Sequence, residues 1–254
     1  MSKTIAIITG ATGGVGREFT RQLLPEVDEI WAIARNKEKL SKLEEIYPDV
    51  VKGMSVDLSD EKNLEVISEQ LRKDDYRILY LVNNAGAGRF APSTDFSANE
   101  IAGHVTTHNI AMAVLCNICI PYMKQGSHIV NVVSQASFQP MPYMNLYGAC
   151  KAFNLSYSRA LNVELKERGI KVTAVCPGWI KTNLLPETLN GRKVKFPHIS
   201  NAKDVVTKAL KDVRKGKEIS LYSTYVNLQR ILVRLSPKKV VMKYWISGIK
   251  KYIS

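Results

Sequence analysis

Thr4-Ile-Ala-Ile-Ile-Thr-Gly-Ala-Thr-Gly-Gly-Val-Gly16 is the stretch on which the fold of this chain turns. Its first half, Thr4 to Thr9, is β-branched and apolar, the pattern of a strand buried on both faces. Its second half opens a helix that runs to about Leu24 and meets Pro25. Glycines at 10, 14 and 16 allow a tight turn and let an anion such as pyrophosphate approach the N–H groups at the helix start, where the helix dipole favours negative charge. Glu29 to Ala34 reads as a second strand, completing a βαβ unit near the length expected for dinucleotide binding.

Working outward, the same alternation continues. A helix is expected over Lys37 to Ile46, and a strand over Val50 to Val56 that ends in Asp57-Leu58. A helix over Glu61 to Arg72 follows, then a strand over Ile78 to Val82 that ends in Asn83-Asn84-Ala85-Gly86-Ala87-Gly88. A long apolar helix from about Asn99 to Met123 carries Asn109, whose amide groups need partners as a structural bridge or as part of a water-linked proton path. His128 to Val133 is a further strand, Tyr147 to Arg168 a helix, and Gly169 to Val175 a strand stopped by Pro177-Gly178. Asp204 to Arg214 and Glu218 to Tyr222 read as a last helix and strand. Between Thr182 and that helix, residues 183 to 200 carry Pro186, Gly191 and Pro197 with apolar Leu184 and Leu185, which suits a mobile lid. Alternation without a linker points to one α/β domain, a doubly wound parallel sheet with helices on both faces.

Composition narrows the function classes. No run approaches the ~18 unbroken apolar residues of a membrane span. The N-terminus reads as a strand rather than a signal peptide, so a cytoplasmic location is expected. The net charge of +13 has no accompanying nucleic-acid motif. Its distribution is uneven: from Tyr222 onward there are Arg230, Arg234, Lys238, Lys239, Lys243, Lys250 and Lys251, and no Asp or Glu. Within this segment, 223–254, Leu228, Ile231, Leu232 and Leu235 follow helical spacing, as do Val240, Val241, Tyr244, Trp245 and Ile249 after the Ser236-Pro237 break. Two basic amphipathic helices of this kind can lie on an anionic membrane or cover a pocket. The plainer expectation is an ordinary packed pair with a solvated basic face. Cys116 and Cys119 have C-x-x-C spacing in an apolar helix without a second ligand pair, and His104 and His108 share a helical face, with Glu100 one turn before, but lack a third ligand. Packing thiols and no metal are expected.

The chemistry is carried by Ser134-Gln-Ala-Ser-Phe-Gln-Pro-Met-Pro-Tyr-Met-Asn-Leu-Tyr-Gly-Ala-Cys-Lys151. Tyr147 and Lys151 are four residues apart, on one helical face. Such a pair is often no more than a solvated face. Beside a lysine ammonium, however, a phenol with a pKa near ~10 is drawn toward neutral pH. Ser134, at the mouth of a strand, can hydrogen-bond the oxygen that gains or loses the proton. Ser137 is its rival. At the end of the second strand, where an NAD-preferring protein places a carboxylate for the ribose, this chain has Ala34-Arg35-Asn36. A guanidinium there suits a 2′-phosphate, so NADP(H) is expected; alternatively Arg35 only begins the next helix on its solvated side. Phe138, Met141, Met144, Trp179, Leu184 and Leu185 are the expected substrate-side residues. Being apolar, they imply a substrate such as a steroid, bile acid or 3-oxoacyl compound.

Taken in order, Thr9-Gly10-x-x-x-Gly14-x-Gly16, Asp57, Asn83-Asn84-Ala85-Gly86, Asn109, Ser134, Tyr147-x-x-x-Lys151 and Pro177-Gly178 with Thr182 resemble the motifs of the short-chain dehydrogenase/reductase family over residues 3 to about 222. The resemblance implies a Rossmann-like fold over 1–222, with 223–254 as a helical extension of the same domain. It implies hydride transfer between a nicotinamide and a carbonyl or secondary alcohol. Tyr147 would be the general acid/base, with Lys151 lowering its pKa and holding the ribose; Ser134 would orient the substrate oxygen and Asn109 support a proton relay. Gly10, Thr12, Gly14, Val15 and Gly16 would cradle the pyrophosphate. Asp57, Leu58 and Asn84 would frame the adenosine, followed by Ala85 and Gly86, with Pro177, Gly178, Ile180 and Thr182 on the nicotinamide side. A homodimer or homotetramer formed through the helices holding Asn109 and Tyr147 is implied too. The contrasting reading is an NADP-binding sensor without turnover, which would have no need of Ser134, Tyr147 and Lys151 together.

Overall fold

In the computed structural model, which describes residues 2–182, 185, 187–189 and 191–253, the alternation is realised almost element for element. The first elements are β1 (Lys3–Thr9), α1 (Gly14–Leu23), β2 (Glu29–Ala34), α2 (Lys37–Ile46), β3 (Val51–Ser55), α3 (Glu65–Leu71) and β4 (Tyr76–Asn83). There follow α4 (Ala98–Val105), α5 (Ala111–Cys119), β5 (His128–Val132), α6 (Asn145–Glu164) and β6 (Lys171–Val175). A two-residue hairpin of β7 (Thr188–Leu189) and β8 (Arg192–Lys193) precedes α7 (Ala202–Arg214) and β9 (Ile219–Ser220). The chain ends in α8 (Thr224–Leu235) and α9 (Lys238–Ile253). The main sheet has the order β3-β2-β1-β4-β5-β6-β9, with every neighbouring pair parallel. Strand order reverses between β1 and β4, and that reversal opens a crevice above the carboxyl ends of the strands.

Successive residues of β1 face opposite sides of the sheet, so each side has its own core. Ile5 and Ile7 join Trp31, Ile67, Leu115 and Leu161 under α3, α5 and α6. Ala6 and Ile8 join Phe19, Leu43, Val206 and Leu210 under α1, α2 and α7. Full burial of each large aliphatic side chain contributes about 1.5–3 kcal/mol, which is why β1 tolerates no polar residue between Ile5 and Ile8.

The long apolar helix is interrupted. Between α4 and α5, Thr106–Ile110 forms a π-turn in which the Ala111 N–H reaches back to the Thr106 carbonyl. The Asn109 amide donates from inside this turn to the Cys150 carbonyl (2.9 Å) and to Asn154 Oδ1 (2.6 Å) on α6, so the residue bridges two helices. The span Ala98–Tyr122 is long and apolar enough to cross a membrane by length and composition alone. Here its buried side packs on the sheet through Ala111, Leu115, Cys116 and Cys119. All four cysteines are free and buried, and burial pushes the Cys116 thiol up to about 12, the environment of packing thiols.

The segment expected to form a lid contains the β7–β8 hairpin. It is joined to the last turn of α9, where Arg192 donates to the Lys251 carbonyl and the Lys195 N–H to the Tyr252 hydroxyl (3.1 Å). Leu184 lies outside the described residues.

At the opposite edge of the sheet, the Glu29 side chain has no exposure to solvent. It accepts from Lys3 (2.5 Å), Lys52 (2.6 Å) and the Trp31 indole (2.6 Å), joining β1, β2 and β3 at their start. Burial alone would raise this carboxyl, but the three donors together hold it below the usual carboxylate range. A depressed value stabilises the fold above the ordinary glutamate pKa and is lost as pH falls through the folded value. Glu29→Ala is therefore expected to lower the free energy of urea unfolding by about 3 kcal/mol at pH 7. The gap between wild type and variant should narrow as pH falls below the ordinary glutamate range; a pH-independent difference would show that the ion pairs are not its source.

Candidate active site

Above the carboxyl ends of the strands lies one open cleft of about 620 Å³, within the range of small-molecule sites. At its β1 end, Gly10 has φ of +63°, a left-handed turn that glycine adopts without strain. Helix α1 follows its N-cap Gly13 with no side-chain cap and no acidic residue in its first turn, leaving its N–H groups for an anion. Gly10, Thr12, Gly14 and Val15 line the cleft, and a Cβ on Gly14 would come within 3.0 Å of the Thr182 side chain. The cradle is thus one that a side chain would fill, and it fits a pyrophosphate. Gly16 plays a different part from the one expected of it. It is buried behind the loop, where a Cβ would lie 2.2 Å from the Gly10 carbonyl oxygen, so its bareness lets α1 close on the turn.

Arg35 follows β2 and precedes α2, whose cap is Asn36, accepting from the Lys39 N–H at 2.8 Å. Arg35 is exposed at the cleft wall and close enough to Asp57 to help depress its carboxyl, after the Ser59 N–H. Asp57 and Leu58 line the cleft beside it, as do Ala85, Gly86, Pro177, Gly178, Ile180 and Thr182. Asn84 also reaches the cleft, but its side-chain donors are turned inward to the carbonyls of Thr9 (3.0 Å) and Gly10 (3.2 Å). It ties β4 to the glycine turn, assisted by the Thr9 hydroxyl, which accepts from the Asn84 and Ala85 N–H groups.

Ser134, Tyr147 and Lys151 converge at the centre of the cleft. Ser134 leaves β5 on extended backbone, and its hydroxyl, which accepts from the Ala136 N–H at 3.1 Å, lies close enough to Tyr147 to favour the phenolate. Ser137 is turned away, donating to the Ser134 carbonyl at 2.7 Å. Tyr147 lies in the first turn of α6 and Lys151 one turn on, its Nζ 5.6 Å from the Tyr147 ring centre. Lys151 is 4% exposed and donates to the Val132 carbonyl at 2.9 Å. In the chain by itself the phenol is shifted the opposite way from the acidification expected of a lysine neighbour. Burial sets the Tyr147 phenol above its ordinary value, with the Ser134 hydroxyl acting the other way. The same burial draws Lys151 down to about 8. Desolvation penalises both charged forms and is the leading cause of both shifts.

Beneath these groups runs a buried polar chain. Asn83 donates to Asn131 (2.8 Å), Asn131 to Ser158 (2.8 Å), Ser158 to the Asn154 carbonyl (2.6 Å), and Asn109 to the Asn154 side chain. Asn109 is part of this support and does not line the cleft.

His108 was missed as a site residue because its neighbour His104 suggested only a metal pair. Its ring meets Tyr147 edge-on at 5.7 Å and stacks on His104 at 4.3 Å. Its Nε2 donates to the Ala87 carbonyl (3.1 Å), while its buried Nδ1 has no partner among the described residues. Burial, then the nearby Lys151, holds it well below its ordinary pKa, so it is neutral at pH 7. Among the described residues no three His, Cys, Asp or Glu converge as metal ligands.

The apolar wall is formed by Met141 and Met144, with Phe90, Trp179 and Trp245 packed beside them and Tyr147. Leu185 lines the cleft too. Phe90 stacks with Trp179 (6.3 Å) and Trp245 (6.2 Å), and the Trp245 indole donates to the Pro142 carbonyl at 2.8 Å. Helix α9 therefore backs this wall from behind, Trp245 itself not lining the cleft. Phe138, expected on this side, faces Val133 and Cys176 instead, with the Arg230 guanidinium of α8 over its ring at 5.7 Å.

A doubly wound parallel sheet with a bare glycine turn at the start of its first helix is a dinucleotide-binding architecture. The model of the short chain dehydrogenase family matches residues 4–193, and the chain belongs to that family. It is 29% identical over 179 residues to the NADP-dependent 3-hydroxy acid dehydrogenase of Escherichia coli, covering 69% of this chain and 72% of that one. Among solved structures it resembles a short-chain dehydrogenase of Sphingobium yanoikuyae in complex with NADPH, with a TM-score of 0.77, 26% identity and 99% and 96% coverage of the two chains. A Burkholderia phymatum member in complex with NAD shares the fold at a TM-score of 0.79 with 20% identity, covering 95% of each chain. The chain is an oxidoreductase of this family, whose solved members bind nicotinamide cofactors.

Two glycines test the packing of the site. Gly86 has φ of +133° and its absent Cβ would lie 2.3 Å from the His108 ring, whereas a Cβ on Gly88 would meet the mobile end of Met144 at 2.8 Å. Gly86→Ala is expected to cost about 3 kcal/mol in urea unfolding and Gly88→Ala about 1 kcal/mol or less. Equal losses would contradict the placement of His108 against the loop.

Proposed function

We propose that the chain is an NADP(H)-dependent reductase or dehydrogenase acting on the carbonyl or secondary alcohol of an apolar substrate. The carrying observation is the meeting of Ser134, Tyr147 and Lys151 between a glycine turn that fits a pyrophosphate and an apolar wall. When bound, the nicotinamide supplies or accepts the hydride. The chain's own residues handle the rest. Gly10, Thr12, Gly14, Val15 and the start of α1 hold the phosphates, Asp57, Leu58, Asn84, Ala85 and Gly86 border the adenosine side, and Pro177, Gly178, Ile180 and Thr182 border the other. Ser134 orients the substrate oxygen, Tyr147 gives or takes its proton, and Lys151 secures the ribose. A phenol kept protonated by burial suits the reducing direction, in which it is the acid. Asn109 keeps α5 and α6 in register beneath them.

Arg35 supports the phosphorylated cofactor: it is exposed at the end of β2, and the adjoining Ala34 and Asn36 bring no carboxylate to repel a 2′-phosphate. Among substrates, the methionine and tryptophan wall favours a 3-oxoacyl compound or another long apolar ketone, in keeping with the 3-hydroxy acid activity named for the E. coli relative. Residues 1–222 form the catalytic body and 223–254 an extension that supports its wall through Trp245. Exposed Ile101, Ile110 and Phe153 are where copies associate as dimers or tetramers.

The test is a panel of 3-oxoacyl thioesters, steroid ketones and small ketones with NADPH or NADH, followed by absorbance of the reduced nicotinamide. NADPH is expected to give the higher kcat/KM, and Arg35→Ala to lower that preference roughly tenfold by removing a charge-assisted contact. A wild-type preference for NADH would overturn the cofactor assignment, and no turnover of any carbonyl would overturn the reading itself.

A further inference from the structure

The two C-terminal helices leave several large apolar side chains exposed. Helix α8 packs inward through Val226 and Val233, while Leu228, Ile231, Leu232 and Leu235, which share one face at i, i+3, i+4 and i+7, point outward. Leu228 is 56% exposed, Leu232 55% and Leu235 77%. On α9, Val241 and Ile249 are buried, while Val240 and Tyr244, one turn apart, are 56% and 78% exposed. Arg234, Lys238, Lys239 and Lys243, all exposed, are interleaved with these residues, and the sequence from Tyr222 to its end contains no carboxylate side chain.

We infer that this face docks on an anionic lipid bilayer, its leucines entering the headgroup boundary and its lysines and arginines meeting lipid phosphates. Charge decides among occupants. A second copy laid symmetrically on the same face would set cation against cation with no acid to offset it. An RNA or DNA would satisfy the cations but leave the leucine stripe in water. An anionic bilayer satisfies both halves of the pattern, apolar area and positive charge. Helix α9 also packs Trp245 behind the aromatic wall beside Tyr147, so the docking face and the support of the pocket wall are two sides of one helix. Given the apolar substrate proposed above, that placement lets the substrate pass from the bilayer, but the docking itself does not rest on that activity.

The experiment is sedimentation of the full-length chain with vesicles of phosphatidylcholine alone or containing about one-third phosphatidylglycerol. The expected result is pelleting with the anionic vesicles, weakened by salt near ~0.5 M, and little with phosphatidylcholine. Leu232→Ser with Leu235→Ser, and separately Lys239→Gln with Lys243→Gln, should each reduce partitioning about tenfold or more, with melting temperature and NADPH turnover in vesicle-free solution unchanged. Failure to pellet with anionic vesicles at low salt, equal pelleting with both vesicles, or undiminished pelleting of the variants overturns the proposal. So does light scattering in which the leucine variants break a larger assembly, since a second copy would then be the occupant. Loss of docking with turnover intact, or the reverse, separates this inference from the activity.

Discussion

An ammonium group almost without access to water organises this molecule's cleft. Lys151 reaches the end of β5, donates to the Val132 carbonyl, and lies beside the ring of Tyr147 one helical turn before it. A charge so placed is expensive, and the fall of its pKa to about 8 records that expense. The phenol beside it is shifted the opposite way by the same loss of water. In the chain alone, then, Tyr147 is held as the protonated phenol, while Lys151, drawn down to about 8, is still largely an ammonium at pH 7. The Ser134 hydroxyl is the contact that favours the phenolate.

The surrounding structure keeps that pair in place. Helix α6 carries Tyr147 and Lys151 on its inner face and is tied through Asn154 and Ser158 to Asn109 and Asn131, which belong to the π-turn and to β5. Leaving any of these buried amides unpaired would cost about 1–3 kcal/mol, so the set either forms together or strains together. The π-turn at Thr106–Ile110 allows Asn109 to face α6 and His108 to face Tyr147 from adjacent positions. On the far side of the cleft, Gly10 and Gly16 give the close turn and close packing that leave the start of α1 bare.

Much of this was legible in the sequence because it rests on local pattern. The bounds of β2 and α2 follow from a β-branched run and from a lysine- and glutamate-rich stretch after the Asn36 cap, and they are as observed. The glycine turn and the Tyr147–Lys151 spacing are similarly local. Where the reading failed, a partner distant in sequence decided. Phe138 turns toward Cys176 because that core and the Arg230 guanidinium of α8 receive it there. Gly16 and Asn84 serve the turn itself, a matter of packing between β1 and β4 that no spacing reveals. A lysine neighbour of Tyr147 is visible in sequence, whereas the burial that shifts the phenol the other way in the chain alone is not. Helical spacing likewise showed an apolar face on α8 but not that Leu228, Leu232 and Leu235 would be its outer side.

The most direct test of the account is a single-turnover measurement on Tyr147→Phe with NADPH and a ketone that the wild type reduces. The substitution removes one hydroxyl from a ring whose packing against His108 and Met144 is unchanged. Fluorescence of the bound nicotinamide is expected to show affinity within a few-fold of wild type, while the rate of NADPH oxidation falls by at least ~10³. Oxidation within tenfold of wild type would contradict the account, because the proton would then be coming from another group.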